Sequence, residues 1–173
     1  MGADGQARAA AREAAIRAVR AALGGLEVTW TESTPGLFSA SLPGTRKLIT
    51  ECALEVRRHH LDVRAFVARR PEQDAETVYR WLLERNLRLA GVAFAVDALG
   101  DVYLTGRIRL EAVTTEVVDE LLGVVATTSD DSFNHILELG FADSIRREWA
   151  WRRSRGESTR NLEAFARLDP DGP

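Results

Sequence analysis

Leu48-Ile-Thr-Glu-Cys-Ala-Leu-Glu-Val56, then Arg57-Arg-His-His60, then Leu61-Asp-Val-Arg-Ala-Phe-Val67 is the stretch that decides the fold. Leu48, Thr50, Cys52, Leu54 and Val56 occupy every second position, and Leu61, Val63, Ala65 and Val67 resume the pattern after a polar link. A period of two places alternate side chains on opposite faces of a strand, so each run predicts a strand with one face buried. Two such runs around a short polar reversal predict a hairpin.

Working outward, the same period recurs. Leu26, Val28 and Trp30 alternate with Glu27, Thr29 and Thr31, Pro35-Gly36 supplies a turn, and Leu37 to Leu42 reads as a return strand before Pro43-Gly44. Val92, Phe94 and Val96 pair across Ala98-Leu99-Gly100 with Val102, Leu104, Gly106 and Ile108, which predicts another hairpin. Elsewhere the period is helical. Gln6 to Leu23 is rich in alanine and arginine, with Ile16, Val19 and Leu23 as a narrow apolar stripe and Gly24-Gly25 as its stop. Residues 74–89 carry Val78, Trp81, Leu82, Arg85 and Leu89 at helical spacing, with Asp74 as the expected cap. A helix capped by Thr114 or Thr115 holds Val117, Val118, Leu121, Leu122 and Val125. Ser129, Asp130 or Asp131 is expected to start another, with Leu137, Phe141, Ile145 and Trp149 four apart. The prediction is an α+β fold, a single antiparallel sheet with helices packed on it, in the order α-β-β-β-β-α-β-β-α-α. Its expected organisation is an N-terminal helix over 1–25, an α+β body over 26–157, and a short helix with a frayed tail over 158–173.

Composition narrows the function. Apolar residues at 45%, charged residues at 28% and a formal charge of −3 are ordinary globular values that give no bulk attraction to polyanions. No apolar run approaches the roughly 18 residues needed to span a bilayer, and four arginines between residues 8 and 20 have no apolar stretch behind them. The one cysteine, Cys52, lies in the alternating run, where it reads as a buried small hydrophobe. These features predict a cytoplasmic protein.

Several strings between Leu42 and Glu157 resemble the actinobacterial branch of the YbjN family. They are Leu-Pro-Gly-Thr-Arg-Lys-Leu at 42–48, Arg-Arg-Pro-Glu at 69–72, Val-Tyr-Arg-Trp-Leu-Leu-Glu-Arg-Asn at 78–86, Val-Ala-Phe-Ala-Val-Asp at 92–97, Gly-Asp-Val-Tyr-Leu at 100–104 and Ser-Ile-Arg-Arg-Glu-Trp-Ala-Trp-Arg at 144–152. The resemblance implies a sensory-transduction regulator with a fold similar to type III secretion chaperones, often dimeric, and it brings no catalytic residues.

Two surfaces are candidates for binding. Tyr79 and Leu83 lie on a different azimuth from Val78, Trp81, Leu82 and Leu89, so helix 74–89 is apolar on two faces and is expected to meet its own sheet and a second protomer, with Tyr79, Trp81 and Leu83 as the contact residues; the competing reading is a helix buried within one chain. From Ser144 to Gly156, Arg146, Arg147, Arg152, Arg153 and Arg155 stand against Glu148 alone, a local net of +4, with Trp149 and Trp151 among them. That pattern suits an acidic protein, nucleic acid or anionic lipid; the competing reading is a core tryptophan beside a solvated basic face.

Asp130, Asp131, Asn134, His135 and Glu138 look like helix-start chemistry, His59-His60 like a hairpin tip, and Asp97 and Asp101 like turn formers. No nucleophile elbow, phosphate-binding glycine loop or zinc-binding helix pattern occurs. The expectation is therefore a non-enzymatic, cofactor-free, metal-free adaptor or chaperone-like regulator. It would hold a protein or peptide along a helix groove or sheet edge as a homodimer, with a regulator binding nucleic acid or anionic lipid through 144–156 as the alternative.

Overall fold

The computed structural model describes residues 3–172. Helix α1 (Ala3–Gly25) leads into strands β1 (Thr29–Thr34), β2 (Leu37–Pro43), β3 (Ile49–Val56) and β4 (His60–Ala68), then α2 (Ala75–Asn86), β5 (Val92–Val96) and β6 (Val102–Arg109). A single 3-10 turn (Leu110–Ala112) precedes α3 (Thr115–Gly140) and α4 (Ala142–Arg155), and a 3-10 segment (Arg160–Leu168) closes the chain. The strands form one antiparallel sheet in the order β1-β2-β3-β4-β6-β5. The α+β architecture with one antiparallel sheet is the one that the period-two runs predict.

Alternation explains how the layers divide. Phe38, Ala40 and Leu42 of β2, Cys52, Leu54 and Val56 of β3, and Leu61, Val63, Ala65 and Val67 of β4 are buried, and their intervening neighbours are not. The buried set shares one core with Ile16, Val19 and Leu23 of α1, Val78 and Leu82 of α2, and Leu122, Val125 and Ile136 of α3. The opposite sheet face carries Ser39, Glu51, Ala53, Arg64, Thr105 and Arg107, which are exposed or half-buried, so no helix among the described residues covers them. The narrow stripe of α1 is therefore sufficient to dock it: Ile16, Val19 and Leu23 are each at most 1% exposed.

Three expected boundaries move. The first strand, read from Leu26 to Thr31, runs instead from Thr29 to Thr34, with Leu26 and Val28 packed against the core ahead of it. Asp74 adopts a left-handed conformation (φ 47°, ψ 33°) and its side chain makes no capping bond, so α2 starts without the predicted cap. Ser129 to Asp131 do not begin a helix. They lie inside α3, which Thr114 caps by accepting from the Val117 N–H at 3.3 Å. The break falls twelve residues or so later, at Phe141 (φ −139°, ψ 19°). A long-range contact sets it: Gly140 O accepts from Glu72 N and Gln73 N at 2.9 and 3.1 Å, and a Cβ on Gly140 would stand 2.9 Å from Pro71 Cβ.

Candidate functional site

Helix α2 and the edge strand β5 build the most distinctive surface. Val78 and Leu82 point into the core, and at about 100° per residue Tyr79, Leu83 and Leu87 fall within an arc of about 80° on another side. Leu83 is 65% exposed and Leu87 87% exposed. Beside them Val96 of β5 is 49% exposed, and Tyr79, Leu82, Leu83, Phe94, Ala95 and Val96 line a depression of about 140 Å³. Glu76, Arg80 and Glu84 flank the apolar column. Tyr79 is half-buried, and its hydroxyl donates to Gly100 O at 3.1 Å, tying the helix to the β5–β6 turn.

The adjoining sheet edge is occupied at its centre by a side chain. Asn86 Oδ1 accepts from Phe94 N at 2.7 Å and Asn86 Nδ2 donates to Phe94 O at 3.2 Å. Phe94 opposes Leu104 at a non-hydrogen-bonded position of the ladder, where both backbone groups point away from the partner strand. The Asn86 carboxamide thus takes the place of a neighbouring peptide at the centre of β5, a protection that sheet edges commonly need. A partner strand extending the sheet at this edge would have to displace Asn86 from Phe94.

Trp81 does not join Tyr79 and Leu83. Its ring lies 4.4 Å from the His135 ring, centroid to centroid, and the Arg85 guanidinium sits 4.9 Å from its centre. Burial, then Arg167 and Arg85, lower the His135 pKa below its ordinary value.

The basic helix is α4, and its charges are met within the chain. Arg146 bonds Asp143 at 2.7 Å, Arg147 lies 3.8 Å from Glu72, and Arg152 bonds Glu148 at 2.6 Å. Arg153 pairs with Asp169 and Asp171. Arg155 stacks on Trp151 at 5.0 Å, and Trp151 itself is 44% exposed. Trp149 is buried, in a small core with Ile145, Leu162 and Phe165. Its place is the end of the Leu137-Phe141-Ile145-Trp149 stripe, and the local net of +4 is offset by Asp143 in the first turn of α4 and by Glu72, Asp169 and Asp171 from outside the helix.

Sequence reasoning missed the role of Asp130. From inside α3 its Oδ1 accepts from Thr45 N, Arg46 N and Lys47 N at 2.8, 2.7 and 2.9 Å, and its Oδ2 accepts from the Thr45 hydroxyl at 2.8 Å. Burial pushes this carboxyl up, but the Lys47, Thr45 and Arg46 donors outweigh it and hold the pKa below the usual carboxylate value. The Lys47 amine, buried and lowered by that burial, donates to Phe66 O at 2.5 Å. Thr50 Oγ1 donates to Ser129 Oγ at 2.9 Å. The loop at 43–48 is thereby latched to α3, with Leu48 78% exposed at its tip. Only the presence of Asp, Ser and Thr at otherwise apolar helix positions hinted at it.

Charged groups on the uncovered sheet face also pair with one another. Asp62 lies 2.6 Å from Arg57, 2.8 Å from Arg107 and 3.2 Å from His60. Burial raises its pKa, and Arg107, His60 and Arg57 together bring it below the ordinary value. Among the described residues no group of three or more His, Cys, Asp or Glu side chains is placed to hold a metal, and no helix is long and apolar enough to cross a membrane. The Cys52 thiol is buried and its pKa is pushed up to about 12 by burial and then by Glu51, far from a reactive thiolate.

A two-layer α+β scaffold with an apolar helix face and paired ionisable groups is the class that this geometry defines. The chain belongs to the YbjN family: the family profile, described as "Putative bacterial sensory transduction regulator", matches residues 15–138. An uncharacterised protein of Mycobacterium tuberculosis is 52% identical over 136 residues, covering 79% of this chain and 74% of that protein. A protein of Mycobacterium leprae is 49% identical over 130 residues, covering 75% and 71%. A chain of the crystal structure of the ExsC–ExsE complex superposes with a TM-score of 0.45 at 20% identity, covering 76% of this chain and 94% of that chain. The profile reaches back into α1, which the quoted strings did not, and stops near the end of α3, short of the string at 144–152.

Proposed function

We propose that this chain is a non-enzymatic, protein-binding adaptor or chaperone-like regulator of the cytoplasm that works as a homodimer. The observation that carries the reading is the apolar column Tyr79-Leu83-Leu87 beside Val96, on a helix whose other side is already buried in the chain's own core. Leaving large side chains in water forgoes about 1.5–3 kcal/mol each, and contiguous exposed apolar surface marks interaction sites. The paired state of the ionisable groups gives no support to acid-base chemistry. The acidic partners of Arg146, Arg147, Arg152 and Arg153 weigh against nucleic acid or anionic lipid at α4.

The second copy is favoured as occupant because the face is self-complementary. Laid antiparallel about a twofold axis, Leu83 meets its own counterpart, Tyr79 meets Leu87, and Arg80 meets Glu84. An isologous interface requires this reciprocity. Asn86 keeps the contact helical by closing β5 to strand pairing.

The test reverses the charges. Arg80→Glu sets like charges opposite each other and is expected to weaken the dimer in light scattering; the double variant Arg80→Glu/Glu84→Arg restores complementarity and is expected to recover it. If the double variant dissociates as far as the single one, the antiparallel α2 seam is wrong.

A further inference from the structure

The C-terminal 3-10 segment lies in a groove between α3 and α4. Leu162 and Phe165 are buried against Ile145 and Trp149, with Leu137 and Phe141 packed at the margin and Leu168 beside them. Its C-terminal end is held by charge: Arg153 pairs with Asp169 and Asp171, and Arg167 pairs with Glu138 of α3. Apolar side chains three apart followed by two carboxylates form a compact recognition pattern, matched by an apolar groove with an arginine at its end.

Three features make this occupant a poor permanent one. It is a 3-10 segment with non-helical angles at Phe165 (φ −118°, ψ 27°), and Thr159 supplies no side-chain cap. It buries two large side chains, Leu162 and Phe165, against the ordering entropy of about a dozen residues, so the segment belongs to the low-stability end of the fold. The third feature lies beneath it. Trp149 is 6% exposed, and its indole Nε1–H is buried with no acceptor among the described residues. A buried donor left unpaired is costly, and a ligand that brings an oxygen to it gains over the chain's own segment. Removal of the segment would bare Trp149 and Ile145, so the groove needs some occupant.

We infer that the α3–α4 groove is a peptide-binding surface held shut in cis by residues 160–171, and that it accepts in trans an amphipathic segment of the same chemistry, with Leu-x-x-Phe-x-x-Leu spacing and an acidic end that reaches Arg153. The turn at Gly156, in the left-handed region at φ 67°, begins the short tether. A short tether gives the cis segment a high effective concentration, so trans binding is suppressed until the segment is displaced. This surface is separate from the α2–β5 face, and its failure leaves the proposed dimer untouched.

The test uses the full chain and a fluorescein-labelled peptide of residues 158–172 as probe, read by anisotropy. Leu162→Ser/Phe165→Ser weakens the cis segment without touching the groove. The labelled peptide is expected to bind this variant at least tenfold more tightly than the unaltered chain, and to lose at least tenfold when Arg153→Glu is added. Should the double serine variant fail its circular-dichroism check for folding, Asp169→Lys/Asp171→Lys, which loosens only the charged end, takes its place with the same expectation. Equal binding to the unaltered and loosened chains, no binding to the folded loosened chain, or indifference to Arg153→Glu would each overturn the inference.

Discussion

Replacing Asp130 by alanine removes the acceptor for three backbone N–H groups and one hydroxyl of the 43–48 loop. A hydrogen bond to a charged acceptor is worth about 1.5–3 kcal/mol. Thr45 and Arg46 are exposed and regain water when the carboxylate goes, whereas Lys47 is buried, so the net loss at pH 7 is about 3 kcal/mol rather than the gross sum. For a chain of this length that lowers Tm by about 6–12 °C. Asp130→Asn keeps one carbonyl oxygen and should lose about half as much. The pH dependence has a definite sign. The folded carboxyl titrates below its unfolded value, so its stabilisation is complete above the unfolded pKa and is lost as pH falls through the lowered folded one. Urea melts at pH 7 and at pH 3 check both parts: the gap between the unaltered chain and Asp130→Asn should narrow in acid. An alanine variant within 0.5 kcal/mol of the parent at pH 7, or an asparagine gap that does not change with pH, refutes the latch.

Other outcomes follow from single contacts. Asn86→Leu leaves the Phe94 N–H and carbonyl without their partner, costing about 1–3 kcal/mol, and should raise light scattering on incubation because the β5 edge is opened. Cys52, with its thiol pushed up to about 12, should resist a thiol reagent at pH 8 in the native chain and react at once in denaturant. At 150 mM salt, Arg147→Ala and Arg152→Ala should leave binding to a DNA duplex unchanged and weak, measured by anisotropy; a steep salt dependence abolished by either change would restore the basic helix as a ligand site.

The sheet was legible because its signal is local. Alternation in 50–56 and 61–67 reports directly which side chains face the helices, and the register follows from the short links; Leu48, which the same pattern put on the buried face, stands exposed before the strand begins. The two apolar faces of α2 were legible for the same reason, since azimuth along a helix depends only on spacing. What could not be read was set by residues far apart in sequence. Asp130 looked like a cap because Ser-Asp-Asp is cap chemistry, yet its acceptors serve a loop more than eighty residues earlier. The end of α3 is fixed by Gly140 against Pro71, and the one-residue break leaves the Leu137-to-Trp149 stripe in phase, so periodicity could not reveal it. Arg147 and Arg153 of α4 appeared as part of a basic patch because Glu72, Asp169 and Asp171, which pair with them, lie outside the helix. Asn86 carried no signal of its own, and its pairing with Phe94 depends on how α2 returns to β5.

Sedimentation equilibrium of the unaltered chain beside Leu83→Glu tests the α2 face most directly. Placing two glutamates at the centre of the seam removes two buried leucines, about 3–6 kcal/mol, which weakens association by roughly two to four orders of magnitude. The expected result is twice the chain mass for the unaltered protein and the single-chain mass for the variant, both folded. A monomeric unaltered chain at every concentration, or a variant that sediments as the parent does, would contradict the account.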